Sequence, residues 1–159
     1  MLIPFCAKNN DRMSSFHQIE VECPSCRARQ DSRIWQAIDA ARNPEAREQL
    51  ITGRINYFCC SSCQFEGEIA APLRYYDTEK QFCASYVPAE YLDDEEYVAR
   101  TFMPDGTVRA GGFAGEDPSI DTDYFRHAHI VFSLPELIRY VLFRERVSQL
   151  SPPLSGGEP

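Results

Sequence analysis

Two Cys-x2-Cys steps constrain this chain more than any other feature: Cys23-Pro24-Ser25-Cys26 and Cys60-Ser61-Ser62-Cys63, separated by residues 27–59. A Cys-x2-Cys step folds as a tight turn that points both sulfurs at one ion, and two such turns supply four thiolates tetrahedrally to zinc. Four protein ligands close the coordination sphere and leave no position for water or substrate. Such a metal is structural, and its binding free energy becomes folding free energy. The separation of the motifs is longer than the usual ~15–20 residues, so regular structure has to fit between them.

Two other readings of the same cysteines are weaker. A redox dithiol at Cys23 and Cys26 needs a helix opening at the first cysteine, whose dipole lowers the thiol pKa. The residues that follow, Arg27-Ala28-Arg29-Gln30-Asp31-Ser32, carry no apolar stripe, and the second motif goes unexplained. Buried, inert thiols do not account for a shared spacing. A full internal disulfide set is excluded by arithmetic, because the chain has 7 cysteines. The start, MLIPFCAKNN, places its lysine after a short apolar patch, the reverse of a secretory signal. No apolar run approaches the ~20 residues that cross a bilayer. These features place the chain in the cytoplasm, where thiols stay reduced.

The remaining cysteines read as follows. Cys59 competes with Cys60 on spacing, but neighbouring residues on a strand face opposite ways. That favours Cys60 as the ligand and makes Cys59 a core thiol. Cys83, between Phe82 and Ala84, reads as core, and Cys6 as surface.

Around the motifs, alternation and turn signals predict strands over 16–22, 54–59, 65–76, 81–88, 97–102, 107–111 and 128–133. Pro72 within the third of these suggests an edge position. Asn43-Pro44-Glu45 reads as a helix start and Gly53 as its left-handed end. Pro104-Asp105-Gly106 signals a hairpin turn, Asp93-Asp94-Glu95-Glu96 a solvated face or loop, and 111–123 a loop. The clearest helix spans 134–150: Ser133 caps it, Pro135 and Glu136 open it, and Leu134, Leu137, Ile138, Val141, Leu142 and Val147 recur at helical spacing. Residues 27–40 fit either period, since Ile34, Trp35, Ile38 and Ala41 make a helical stripe while Ile34, Gln36 and Ile38 share one face of a strand.

The run EQLITGRINYFCCSSC (48–63), following Cys-Pro-Ser-Cys and leading to APLRYYDTEKQFCASYVPAEY (71–91), resembles the CpXC family of bacterial and archaeal proteins over roughly residues 16–145. That resemblance implies a strand rather than a helix at 28–38, and it carries no biochemical activity with it. Three positions depart from the pattern. Ser61 stands in place of a second proline, and Arg27 and Gln64 occupy the place after each motif where glycine is common.

Other candidates have plainer explanations. His127-x-His129 could hold a second metal with Asp121 or Asp123, but nothing else there has ligand spacing. Asp121-Thr122-Asp123 lacks the glycine and glutamate of a calcium loop. Arg139, Arg144 and Arg146 read as the ordinary polar side of a helix, and Trp35, Tyr57, Phe58 and Phe65 as core aromatics. The formal charge of −8, made more negative by a metal tetrathiolate, argues against a phosphate backbone as partner.

The sequence therefore leads to an α+β fold: a zinc-ribbon-like antiparallel β core with an inserted short helix and a C-terminal helix. It is expected over residues 13–150, with 1–12 as an extension and 151–159 as a disordered tail. Cys23, Cys26, Cys60 and Cys63 are the expected ligands of one Zn²⁺. The expected role is a cytoplasmic protein-interaction or adaptor module whose partner is another protein, with no membrane contact and no catalytic residues. The rival readings are a nucleic-acid-associated zinc ribbon and an enzyme built around His127 and His129.

Overall fold

The computed structural model describes residues 15–113 and 123–150. The expected extension at 1–12, the tail at 151–159 and most of the 111–123 loop lie outside them.

The fold is α+β. Seven strands, β1 (Ser15–Glu22), β2 (Arg29–Asp39), β3 (Tyr57–Cys59), β4 (Glu66–Glu68), β5 (Leu73–Asp77), β6 (Phe82–Tyr86) and β7 (His129–Val131), form a five-stranded sheet in the order β1-β2-β5-β6-β7 and a two-stranded sheet β3-β4. Among the described residues four α-helices accompany them, α1 (Pro44–Ile51), α2 (Glu95–Thr101), α3 (Asp123–Arg126) and α4 (Leu134–Leu150), with a short 3-10 helix at Ala89–Asp93.

The two cysteine-bearing hairpins, β1–β2 and β3–β4, are antiparallel as expected, and the large sheet as a whole is mixed. β1–β2 and β5–β6 are antiparallel, but β2 pairs with β5 in parallel over Ala37–Asp39, and β6 pairs with β7 in parallel. Parallel neighbours require a crossover connection. Between β2 and β5 that connection is residues 40–72, which carry α1 and the small β3–β4 sheet. The long gap between the cysteine motifs is thus the second strand of one hairpin followed by most of a crossover.

Helices cover both faces of the large sheet, and β5 and β6 are buried at every position, the pattern of strands with no solvent face. On one face Ile38, Leu73, Tyr75 and Ala84 pack against Ala46 and Leu50 of α1 and Leu134, Leu137 and Val141 of α4. On the other, Tyr76 and Cys83 meet Phe125 of α3, and Val87 packs with Tyr97, Val108 and Phe113. Arg74 is buried there, its guanidinium 4.5 Å from the Phe113 ring centroid and 5.0 Å from that of Phe125. α1 and α4 are tied by a two-pronged pair in which Arg47 donates to Glu145 at 2.7 and 2.6 Å.

Several local expectations are corrected. Residues 97–102 are not a strand, because Asp94 accepts from the Tyr97 amide at 3.0 Å and caps α2. Glu95 and Glu96 then sit in its first turn, where negative charge complements the helix dipole. The acidic run is a helix start. Residues 107–111 contribute only an isolated bridge, Phe102 to Val108, beside the turn at Gly106. The 65–76 segment is broken into β4 and β5, and Pro72 lies outside both while β5 is the central strand. The 54–59 strand shrinks to Tyr57–Cys59. α1 begins at Pro44 and ends before Gly53 (φ +71), but the Asn43 side chain makes no capping bond. α4 has the predicted span, and Ser133 Oγ accepts from the Glu136 amide at 3.3 Å.

Among the described residues, no helix is long and apolar enough to cross a membrane.

Candidate metal centre

The two cysteine turns close the open ends of two hairpins. Cys23 and Cys26 join β1 to β2, and Cys60 and Cys63 join β3 to β4. Their backbones match step for step. The Cys23 amide donates to Ala28 O at 2.8 Å and Arg27 N to Cys23 O at 2.9 Å; the Cys60 amide donates to Phe65 O at 2.8 Å and Gln64 N to Cys60 O at 3.0 Å. Each turn needs a left-handed residue just after its second cysteine, and Arg27 (φ +61) and Gln64 (φ +63) take that conformation. Only glycine adopts it without cost, so each of these two side chains strains its turn.

The turns bring the four sulfurs together. All lie within 4.8 Å of one another, with Cys23 Sγ 3.6 Å from Cys63 Sγ and Cys26 Sγ 3.6 Å from Cys60 Sγ. The close pairs run between the motifs rather than within them. A regular tetrahedron with metal–sulfur bonds of about 2.3 Å has sulfur–sulfur edges of about 3.8 Å, so the four sulfurs could hold one ion. They are free thiols, well beyond the ~2.05 Å of a disulfide. Cys23 and Cys60 are buried, while Cys26 and Cys63 are exposed.

Electrostatics favour ionisation of one thiol at its neighbours' expense. The Cys63 amide, and less strongly that of Ser62, together with the Cys26 and Cys23 thiols, bring Cys60 down to about 6 against the desolvation of the site. The Ala28 amide lowers Cys26, but desolvation and the thiols of Cys63, Cys60 and Cys23 outweigh it and push Cys26 up to about 12. A divalent cation overrides this ordering, because a coordinating thiol is deprotonated outright.

Beneath the sulfurs, Val21, Ile34, Phe58, Ile69 and Ala71 pack with Cys23 and Cys60 in one buried cluster. No strand ladder joins β2 to β3. Two side chains do that work, and neither was singled out from the sequence. Asn56, buried and at φ +50, accepts from Trp35 N at 2.7 Å through Oδ1 and donates to Trp35 O at 2.9 Å through Nδ2. Gln30 donates to Cys59 O at 2.9 Å and accepts from Ser61 N at 2.9 Å. The available signal was an asparagine in an apolar, strand-like run, where it is normally depleted.

Cys59 is exposed, contrary to expectation: within β3 the buried residue is Phe58, so its neighbours face out. Cys83 is buried as expected, and Cys6 lies outside the described residues. Of the aromatics read as core, Trp35 and Phe58 are buried, whereas Phe65 is exposed. His127 and His129 do not converge. His127 Nε2 lies 3.4 Å from Asp123 Oδ1, and His129 stacks on Tyr140 with ring centroids 3.9 Å apart. The four cysteines are the one group of potential metal ligands found among the described residues, and Asp121 lies outside them.

Comparison with curated proteins and with solved structures finds no match. The family model described as CpXC protein matches residues 21–138, a span that starts two residues before the first cysteine motif and ends within α4, and the chain belongs to that family.

Proposed function

We propose that this protein is a zinc-stapled protein-interaction module that works in a reducing compartment, the cytoplasm. The observation that carries the zinc reading is the mutual distance of Cys23, Cys26, Cys60 and Cys63 Sγ, all within 4.8 Å. An all-sulfur, tetrahedral donor set suits zinc or iron and disfavours the hard cations that prefer oxygen. Four protein ligands leave zinc no open position for catalysis, so its contribution is to hold two hairpins together. A reducing compartment follows from the chemistry, because thiolate ligands must stay unoxidised. The net charge of −8 supports a protein partner over a phosphate backbone.

Elemental analysis of protein purified under reducing conditions tests the site. The expected result is one zinc per chain, no iron and no visible absorption, with zinc lost in Cys23→Ser and in Cys63→Ser. Stoichiometric iron, or metal-free protein with the fold of both hairpins intact, would overturn the reading.

A further inference from the structure

The exposed large apolar side chains of the described residues are concentrated on α4 and just before it: Phe132 (51% exposed), Leu142, Phe143 (57%), Val147 and Leu150 (65%). On the helix, Tyr140, Phe143, Val147 and Leu150 recur at alternating steps of three and four, the a/d spacing of a coiled-coil seam. Phe143, Val147 and Leu150 point away from Leu137 and Val141, the residues that anchor α4 to its own sheet, while half-buried Tyr140 lies at the boundary and packs against that core. At its N-terminal end the seam borders a groove of about 500 Å³ lined by His129, Phe132, Glu136, Arg139, Tyr140 and Phe143.

The charges beside the seam specify a partner. With Tyr140 and Val147 at a, the flanking g positions are Arg139 and Arg146; Arg144 at e is already engaged, its guanidinium 4.7 Å from the Phe82 ring centroid and donating to Tyr140 OH at 3.1 Å. The carboxylates of this helix are already engaged, Glu145 with Arg47 and Glu136 with the Phe132 amide at 3.2 Å. A second copy of the chain would set arginine against arginine in either helix orientation, since e/g charges decide pairing. Addition of a strand at the neighbouring sheet edge is also poorly supported. β7 has only three residues, and the amide that follows it, Phe132 N, donates to Glu136.

We propose that the outer face of α4 is a docking site for an amphipathic helix of another protein, one with an apolar seam flanked by Glu or Asp. This rests on the protein-interaction reading above and names the chemistry of its partner.

The test uses zinc-loaded full chain and two synthetic helical peptides about three heptads long, with Ile at a and Leu at d. One carries Glu at e and g, the other Lys. Fluorescence anisotropy should show the Glu peptide binding about tenfold more tightly, because Arg139 and Arg146 swing from attraction to repulsion. The difference should narrow with added salt. Phe143→Asp should abolish binding of both. The double variant Arg139→Glu, Arg146→Glu should reverse the preference toward the Lys peptide, a gain that misfolding cannot mimic. Equal affinities, no binding of either peptide, or a preference that survives the double variant would overturn the proposal. So would a dimer of the chain alone that Phe143→Asp dissolves, or binding to phosphatidylserine-containing vesicles in place of the peptide. Zinc content of each variant separates these failures from failure of the metal reading.

Discussion

Replacing Asn56 with alanine should loosen the β3–β4 hairpin from the large sheet without touching a metal ligand. The Asn56 carboxamide pairs with both backbone groups of Trp35, at 2.7 and 2.9 Å, in a place where β2 has β1 on one edge and no strand on the other. Alanine leaves a Trp35 N–H and C=O unpaired in a buried region. Each such group costs about 1–3 kcal/mol. The left-handed backbone at φ +50 adds up to roughly 1 kcal/mol, because asparagine tolerates it better than alanine. The loss should therefore be about 2–7 kcal/mol, against a total stability of about 5–15 kcal/mol for an ordinary domain. Gln30→Ala is the internal control: its bonds to Cys59 and Ser61 are exposed, so water replaces them and the loss should stay near 1 kcal/mol. Urea unfolding at fixed free zinc gives both values, read by the fluorescence of Trp35, the chain's single tryptophan. An Asn56→Ala loss under about 0.5 kcal/mol, or equal losses in the two variants, would refute the view that a buried carboxamide does the work of a missing ladder.

Arg27→Gly and Gln64→Gly should each stabilise the metal-loaded protein by about 0.5–1 kcal/mol, by relieving the left-handed backbone after each cysteine turn; a rise of about 2 °C in Tm, measured calorimetrically, checks this. Glu145→Gln should cost about 1–3 kcal/mol at neutral pH, because it removes a charged, two-pronged partner from Arg47. The Arg47 bond holds the Glu145 carboxyl below its ordinary value, so its contribution is fully present above about 4.5 and is lost as pH falls through the lowered folded value. Urea melts of native and Glu145→Gln protein should converge in acid. Chelation should remove one equivalent of metal and expose Cys23 and Cys60 to a thiol reagent, while the far-ultraviolet signal of the large sheet and α4 persists.

The cysteine set, the 134–150 helix and the left-handed Gly53 were legible because each is written in local spacing. The strand at 29–39 was not: its apolar residues fit two periods, and only the likeness to a family separated them. The parallel pairing of β2 with β5 was invisible, since Ala37–Asp39 meets Arg74–Tyr76 across a crossover that no local pattern announces. Cys59 was misassigned for a related reason. The rule that adjacent residues face opposite ways holds within a strand, but Cys60 lies past the end of β3, and Phe58 is the residue that faces the core. The helix at 95–101 was hidden because Asp94, Glu95 and Glu96 read as mere solubility until the Asp94 capping bond gives them a role.

Placing β3–β4 inside a crossover has a cost for the cell. The large sheet has its own core with α1 and α4, whereas the small hairpin adheres through a satellite cluster, two amide clasps and, on the zinc reading proposed above, an ion. Under metal starvation the hairpin becomes the least protected foldon of the chain and peels away first. It would bare Val21 and Ile34 together with the flank of β2, an adhesive surface in a protein that is otherwise still assembled. Metal supply would then govern how much of the population clumps or is cleared.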